Sequence, residues 1–522
     1  GSFSHTHWSW KFDDFPYPRM QEGVCSLAML YKMEKIGNHF YLNEDVRTWI
    51  IWGIEYWLTL QHKSGVFDEA YPNEQCLAAT AFTAFYVGWA IHEMEDMLPE
   101  ELRNQAKRAL EKSAEWLVNN GEHHGILSNH LAAAAAALQL ISELTKKEKY
   151  AKAAQNYLSL IIKQQSEEGW FLEYDGVDVG YGTHAFFYVG IYWHLSKDEK
   201  ALAALKAFSE FFQFFIHPDG TIGGEYCSRN TEFYFPAGFE IISSRCPTSR
   251  LIAAFMRESL KKNHVAQLKS MDQFNFFPAL NNLLFAEKFI AKGRVEINLP
   301  FMSQPFDRYF QHSGLWVINT SNIYAIVGLS KGGTVSIFDK QKSCLSCRFS
   351  GFFAMIKNKT FTSQNCVLSP EVSWSEDKSE ISINVPWRLC TSLTFNPSMF
   401  VLFRTFTHTF GRSSFISKHL KNLLVNFLIK RKKGLKIDHS KTFRLNKDEI
   451  TIVDKIKFPS GVTSFVAAAN FNPIHMGSSM YADIRVFQGS TNVKSFELAK
   501  RDVTLVSRLS TEKKEYILET GD

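Results

Sequence analysis

The sequence predicts a multidomain α+β chain, with stacked helical hairpins over residues 1–300 and antiparallel strands over residues 301–522. Three observations predict it. Up to about residue 295, long stretches rich in Ala, Leu, Glu and Lys alternate with short Gly- and Asp-bearing connections. Four of those connections are built alike, and near residue 300 the pattern changes to short β-branched and aromatic runs divided by Gly, Asn, Ser and Asp.

Seven segments, 43–62, 73–94, 101–119, 128–144, 147–165, 181–195 and 198–216, have helix length and carry apolar residues at three- and four-residue spacing. In "TKKEKYAKAAQNYLSLIIKQQ" the lysines at 149, 152 and 163 fall opposite Ala154, Leu158 and Ile161, as one buried stripe requires. The connections "HKSGVFDEAYPNEQ", "NNGEHHGILSNH", "QSEEGWFLEYDGVDVGYGTH" and "HPDGTIGGEYCSRNTEF" carry glycines at 65, 125, 169 and 220, at intervals of 60, 44 and 51 residues. Hairpins of this size cannot bury their inner faces alone, so they stack, as an open solenoid or closed into an α/α toroid. The run Ala132–Ala137 allows two helix axes to approach closely, and the polar connections then converge on one rim.

Past residue 300, "SGLWVINTSNIYAIVGLSKGGTVSIFDK", "FFAMIKNKTFTSQNCVL", "SEISINVPWRL", "MFVLFRTFTHTF" and "GVTSFVAAANF" read as strands of a sandwich or stacked-sheet domain. Residues 417–434, "SKHLKNLLVNFLIKRKKG", read as a basic hairpin or short helix.

Composition narrows the partners. A chain of 522 residues, 45% hydrophobic and 14% aromatic, fills large cores and excludes disorder on this scale. Its 58 basic and 53 acidic side chains leave a charge of +5, too mild to mark a nucleic-acid binder. No apolar run reaches the eighteen residues of a membrane span, and the first residues lack the order of a signal peptide. Eight dispersed cysteines are not a disulfide scaffold; "CLSC" at 344–347 has redox or zinc spacing without a second pair, so buried thiols and at most a few disulfides are expected.

The chemistry concentrates on the rim. Asn129 and His130 open the alanine-rich helix, where Ser128 or Asn129 is a candidate cap. Tyr181 and His184 lie three apart at the start of another helix, with Tyr188 one turn further on the same face. Gly223 and Gly224 give a tight path that presents Glu225, Tyr226 and Arg229. Trp170, Phe171 and Tyr174 are candidate platforms for sugar rings. An amide, imidazoles, a phenol and a guanidinium suit proton abstraction beside a carboxylate, as at C5 of a uronic acid: donors neutralise the carboxylate while a Tyr or neutral His takes the proton. Loss of the 4-O substituent then gives β-elimination, and return of the proton to the opposite face gives epimerisation. Hydrolysis needs two spaced acids, for which Asp68, Glu69, Asp175, Asp178 and Glu225 are available.

"SNH" before the Ala-rich helix, the "DG...GY" element, the "GG.Y..RN" loop, and a β domain opening with "HSGLWVI" and "SKGG" resemble the heparinase II/III and alginate lyase superfamily, including dermatan-sulfate-epimerase-like relatives. The resemblance implies an incomplete α/α toroid, an antiparallel β-sandwich and a polysaccharide cleft at their junction. It implies catalytic roles for Asn129, His130, Tyr181, His184 and Arg229, and a histidine from the β domain, matched by His312 or His475. It implies an anionic, uronic-acid-containing glycan as partner, an extracellular or periplasmic location and no cofactor; no metal-ligand set stands out. The expected activity is a polysaccharide lyase, with a uronyl epimerase, a hydrolase or a non-enzymatic carbohydrate-binding protein as alternatives.

Overall fold

The computed structural model describes residues 15–121, 127–173, 176–271, 273–356, 359–377, 379–389, 396–425, 434–435, 437–467, 494–498 and 500–519. The helical part comprises α1 (Gly23–Lys32), α2 (Glu44–Leu60), α3 (Leu77–Glu93), α4 (Glu100–Asn119), α5 (Ser128–Thr145) and α6 (Glu148–Gln164). After a small hairpin, β1 (Leu172–Glu173) and β2 (Gly176–Val177), come α7 (Val179–Ser196), α8 (Glu199–Phe212), α9 (Ala237–Ile242), α10 (Pro247–Lys261) and α11 (Gln273–Phe289).

Two layers result. The inner helices α1, α3, α5, α7, α9 and α11 each pack on the next, and α11 meets α1, so the inner ring closes. α2, α4, α6, α8 and α10 form the outer layer. Composition sorts the two: α3 is buried from Leu77 to Ile91, whereas α4 buries one stripe, including Leu102, Ala106, Leu110 and Leu117, and leaves its charges outside. Ala132 to Ala137 are all buried and let α5 lie tightly between α3 and α7.

The recurring connections share one turn. Gly65 N donates to His62 O, Gly169 N to Ser166 O and Gly220 N to His217 O. All three glycines have positive φ. A Cβ at Gly65 or Gly169 would stand 2.2 Å from the carbonyl oxygen of Lys112 or Ala207, so a side chain is excluded twice over. Gln61 and Gln165 repeat the same bond, each from Nε2 to the carbonyl of its turn glycine. The fourth glycine, Gly125, lies outside the described residues, with His123 and His124.

Among the described residues, the β part holds three antiparallel sheets. The first runs in sequence order: β3 (Phe306–Phe310), β4 (Leu315–Asn319), β5 (Ile323–Gly328), β6 (Thr334–Asp339) and β7 (Cys344–Phe349). The remaining strands are β8 (Phe352–Ile356), β9 (Lys359–Thr362), β10 (Val372–Trp374), β11 (Glu380–Asn384), β12 (Trp387–Leu389), β13 (Gly434–Leu435), β14 (Asp438–Asn446), β15 (Glu449–Lys457), β16 (Ser464–Ala467), β17 (Lys494–Glu497), β18 (Asp502–Leu509) and β19 (Lys514–Glu519). They form sheets of order β10-β11-β14-β15-β18-β19 and β13-β12-β9-β8-β16-β17. β4, β5 and β6 are buried on both faces. Leu315, Val317, Tyr324 and Ile326 join the core of the toroid, while Trp316, Ile318, Ala325 and Val327 join the sandwich core.

One predicted strand is a helix. "MFVLFRTFTHTF" lies mostly within α12 (Pro397–His408), followed by α13 (Ser414–Val425) in the basic stretch. The β-branched and aromatic composition misled; Asn396 accepts from Met399 N at 2.8 Å and Pro397 sits in the first turn, and together they start a helix. The hairpin reaches back to the toroid: Asn73 Nδ2 donates to Thr407 O at 3.0 Å, and Lys421 pairs with Glu74 at 3.0 Å. The seven described cysteines form no disulfide with one another; Cys390 lies outside the described residues.

Candidate active site

A pocket of about 200 Å³ opens at the rim of the toroid, and Asn129, His130, Tyr181, His184 and Arg229 all line it. They arrive from three connections. Asn129 and His130 lie in the first turn of α5, Tyr181 and His184 in the first two turns of α7, and Arg229 on the loop before α9.

Two buried carboxylates that the sequence does not single out for the task, Glu173 and Asp178, hold the three connections. Glu173, fully buried on β1, accepts from Asn129 N at 3.0 Å and from Asn129 Nδ2 at 2.9 and 3.0 Å, and pairs with Arg229 Nη2 at 3.1 Å. Glu173 therefore caps α5 from another segment, with its charge at the positive end of the helix. The expected cap is corrected: Ser128 donates to Leu172 O, and Asn129 gives its amide to Glu173. Burial raises the Glu173 carboxyl above its ordinary range, opposed by Arg229 and the Asn129 bonds.

Asp178 does the same for the other two segments. Its carboxylate accepts from Tyr181 N at 3.0 Å, from Arg229 N at 2.9 Å and from the Thr231 hydroxyl. A candidate hydrolytic acid is thus the cap of α7. Gly180 makes room for this junction, since a Cβ there would stand 2.4 Å from Thr231 Oγ1.

His184 is 5% exposed and stacks on Phe235, ring centroids 4.3 Å apart, with Phe82 parallel at 5.6 Å. Its Nε2 has no hydrogen-bond partner among the described residues. Burial, then the charges of Arg19 and His130, hold its pKa well below the usual histidine value, so the ring is neutral near pH 7. The Arg229 guanidinium lies 4.2 Å from the centre of the Tyr181 ring. His130 meets Phe82 edge-on at 5.7 Å.

Arg19 and Glu69 complete the lining. Arg19 donates to Glu22 at 2.7 Å and to Glu69 at 2.9 Å, with its guanidinium 4.5 Å from the centre of Phe82. Burial alone would raise the Glu69 carboxyl, but Arg19, His130 and hydrogen bonds from Cys76 and Arg19 bring it down to about 2. Glu22, fully buried, moves up to about 7, burial outweighing Arg19. The sequence marks Glu69 only as an available acid.

The other candidate site residues fare differently, and those among the described residues do not line the pocket. Tyr188 is fully buried beneath the pocket, its hydroxyl 3.0 Å from that of Tyr86. Trp170 is 4% exposed and donates to Glu168. Glu225 accepts from the Ser350 hydroxyl, and Tyr226 shares a 2.8 Å hydrogen bond with His217; both are buried. Phe171 stacks on Phe208 in the core. His312 is half exposed beside Glu167 and is not among the residues that line the pocket. Helical spacing marks core and site alike, which is why Tyr188 reads as a site residue; Trp170, Glu225 and Tyr226 lie in connections, where the sequence does not record depth. Tyr174, Asp175 and His475 lie outside the described residues.

Residues 15–236 match the ulvan lyase N-terminal domain family. Over most of its length the chain superposes on a chondroitin AC lyase of Streptomyces coelicolor A3 in complex with chondroitin sulphate, with a TM-score of 0.55 and 10% identity, covering 85% of this chain and 63% of that one. This is the fold of the toroid-type polysaccharide lyases. A xanthan lyase of Paenibacillus gives a TM-score of 0.50 at 10% identity, over 87% of this chain and 43% of that chain. The chain thus spans less than two thirds of the length of these lyases. No curated protein matches it in sequence.

Proposed function

We propose that the chain is a polysaccharide lyase that cleaves a uronic-acid-containing anionic glycan by β-elimination. The observation that carries this reading is the unpartnered Nε2 of a neutral His184 in one pocket with Tyr181 and Arg229. Arg229 attracts the uronate carboxylate, and the Glu173 ion pair fixes its position. His184 Nε2 takes the C5 proton while the carboxylate spreads the developing charge. Tyr181 gives its proton to the departing 4-O oxygen; the C4–O bond breaks as the C4–C5 double bond forms. Asn129 acts by a different route from the one expected, because its amide is engaged by Glu173: it ties α5 to that carboxylate.

Hydrolysis is disfavoured, since Glu69 is the one carboxylate among the described lining residues and Arg19 holds it ionised. The family match supports ulvan as a first substrate to try, and the fold supports glycosaminoglycans beside it. Ulvan, chondroitin sulfate, heparin, hyaluronan and alginate should be incubated with the protein, with ultraviolet absorbance and product mass read together. An absorbing product one water lighter than the hydrolytic fragment is expected. New reducing ends without that absorbance would overturn elimination, and solvent deuterium at C5 without shortening would make the protein an epimerase.

A further inference from the structure

The hairpin of α12 and α13 is built the wrong way round for a surface that faces water. Among the described residues its buried side chains are those of Thr407 and Ser417, whereas Val401, Leu402, Phe410, Phe415 and Leu423 are 61–71% exposed. We propose that this hairpin docks on a lipid surface that carries anionic headgroups. The proposal is independent of the lyase reading, because no described residue of the hairpin lines the catalytic pocket.

Topology and hydrogen bonding explain the inversion. β12 and β13 pair at the edge of their sheet, Trp387 opposite Leu435 and Arg388 opposite Gly434, so residues 390–433 leave the sandwich and return to the place they left. Polar groups tie this excursion to the toroid. Besides the bonds of Asn73 and Lys421, Ser417 Oγ donates to Asn73 O at 2.6 Å and Lys418 Nζ to Asn120 Oδ1 at 3.1 Å. Phe403 adds a ring to the docked face, edge-on to Tyr71 at 5.2 Å.

The outward face is apolar. Met399, Leu402, Phe406 and Phe410 recur at three- and four-residue steps along α12 and into the turn after it, with the rings of Phe406 and Phe410 5.7 Å apart. On α13, Phe415 and Leu423 stand two turns apart on one side. One exposed apolar side chain is ordinary. Five on a hairpin whose docked face is held by hydrogen bonds mark a surface that meets an apolar phase.

Charge selects the phase. Residues 390–433 hold eight lysines and arginines and no Asp or Glu, so the excursion alone is more positive than the whole chain at +5. Arg404, Arg412, Lys418 and Lys421 are described; Lys430, Arg431, Lys432 and Lys433 lie outside the described residues. Arg412 is exposed and has no ion pair among the described residues. The carboxylates of the connection beneath are buried and engaged: Asp68 accepts from Asn73 N and Gln75 N, and Glu74 from Glu69 N and Ala70 N. Cations interleaved with apolar side chains suit the boundary between acyl chains and anionic headgroups. A second copy of the chain suits it less, since a two-fold contact through this face sets the same cations against each other. Each helix has 12 described residues, about 18 Å of rise against the roughly 30 Å of a bilayer core, so the hairpin lies in the interface and does not span it.

The test is co-sedimentation of the full chain with vesicles of phosphatidylcholine, alone or mixed with phosphatidylglycerol, at low and high salt. Partition onto the mixed vesicles is expected, falling with salt and much weaker on phosphatidylcholine alone. The double change Phe410→Ser, Phe415→Ser, at exposed positions, should weaken that partition by roughly tenfold or more, and Arg412→Glu by roughly fivefold. Both proteins should keep the parent's melting temperature and its turnover of a soluble glycan. On mixed vesicles, amide hydrogen exchange should slow in α12 and α13. Failure of the parent to sediment with mixed vesicles would overturn the proposal, as would partition of both variants within about twofold of the parent. Equal partition onto the two kinds of vesicle would overturn the anionic assignment. A lipid-free dimer that Phe410→Ser, Phe415→Ser dissociates would overturn the lipid assignment in favour of a second copy. Absence of an unsaturated product in the absorbance assay would defeat the lyase reading and leave the vesicle results intact.

Discussion

Two buried ion clusters sit in the two halves of the molecule. At the toroid rim Glu173 pairs with Arg229 and holds Asn129; inside the sandwich Asp454 pairs with Lys441 at 3.3 Å and with His439 at 2.7 Å. Both are walled by aromatic rings. The difference lies in the histidines. His439 has both nitrogens occupied, accepting from Trp387 Nε1 at 3.0 Å and meeting Asp454 through Nε2. His184 leaves Nε2 unpartnered among the described residues at the wall of a pocket. A satisfied buried histidine is a fastener, whereas an unsatisfied one beside a cavity is poised to act on something that enters.

That contrast is breakable. The largest effect is expected from His184→Ala on a confirmed substrate: kcat should fall roughly 10²- to 10⁴-fold, the usual share of a general base, with the melting temperature little changed. His439→Ala should do the reverse, lowering Tm while the folded fraction keeps its kcat. Equal kinetic losses in the two would erase the distinction.

Next come the carboxylates. Asp454→Ala and Glu173→Ala each strand a buried cation and should lower unfolding free energy by about 3–5 kcal/mol in urea titrations. Only Glu173→Ala should also lower kcat, because Arg229 and Asn129 lose their anchor. Unchanged kcat in folded Glu173→Ala protein would move the site elsewhere.

Smaller effects separate the two carboxylates on Arg19. Glu69 is depressed from 4.5 to about 2, so its contribution to stability is complete above pH 4.5 and disappears as pH falls toward 2. Glu22 is raised from 4.5 to about 7, so its protonated form favours the fold at low pH and that benefit is lost as pH rises from 4.5 through 7. Denaturant unfolding of Glu69→Gln and Glu22→Gln against pH should flatten the profile in those two windows respectively. The smallest effect is on rate: neutral His184 should keep the acid limb of kcat well below pH 6.5, and a limb centred at 6.5 would assign the base to another group.

Much of this was legible in the residues. The helices α4 and α6 fall within a residue of their predicted bounds, because amphipathic periodicity is local and strong. Asn129, His130, Tyr181, His184 and Arg229 could be gathered because each follows a recurring glycine connection. Glu173 could not, although it stands in one of those connections: a single acid between Leu172 and Tyr174 looks like any loop carboxylate until α5 is docked above it. Arg19 was hidden for another reason. It reaches the pocket from the start of the chain, and ring closure, not spacing, brings it there. Tyr188 shows the converse failure, since its helical phase with His184 is right but its depth depends on Tyr86 and Phe82 across the ring.

The first sheet of the sandwich makes the border near residue 300 one of composition rather than of cohesion. With Leu315, Val317, Tyr324 and Ile326 filling one core and their alternating neighbours the other, each half supplies a wall the other lacks. Severing the chain there would not release two working pieces: the toroid would be left with an uncovered apolar flank and would be prone to clump. The two halves should accordingly melt in one transition, and a substrate chain lying across their junction would rest on ground that cannot open like a hinge without unfolding both.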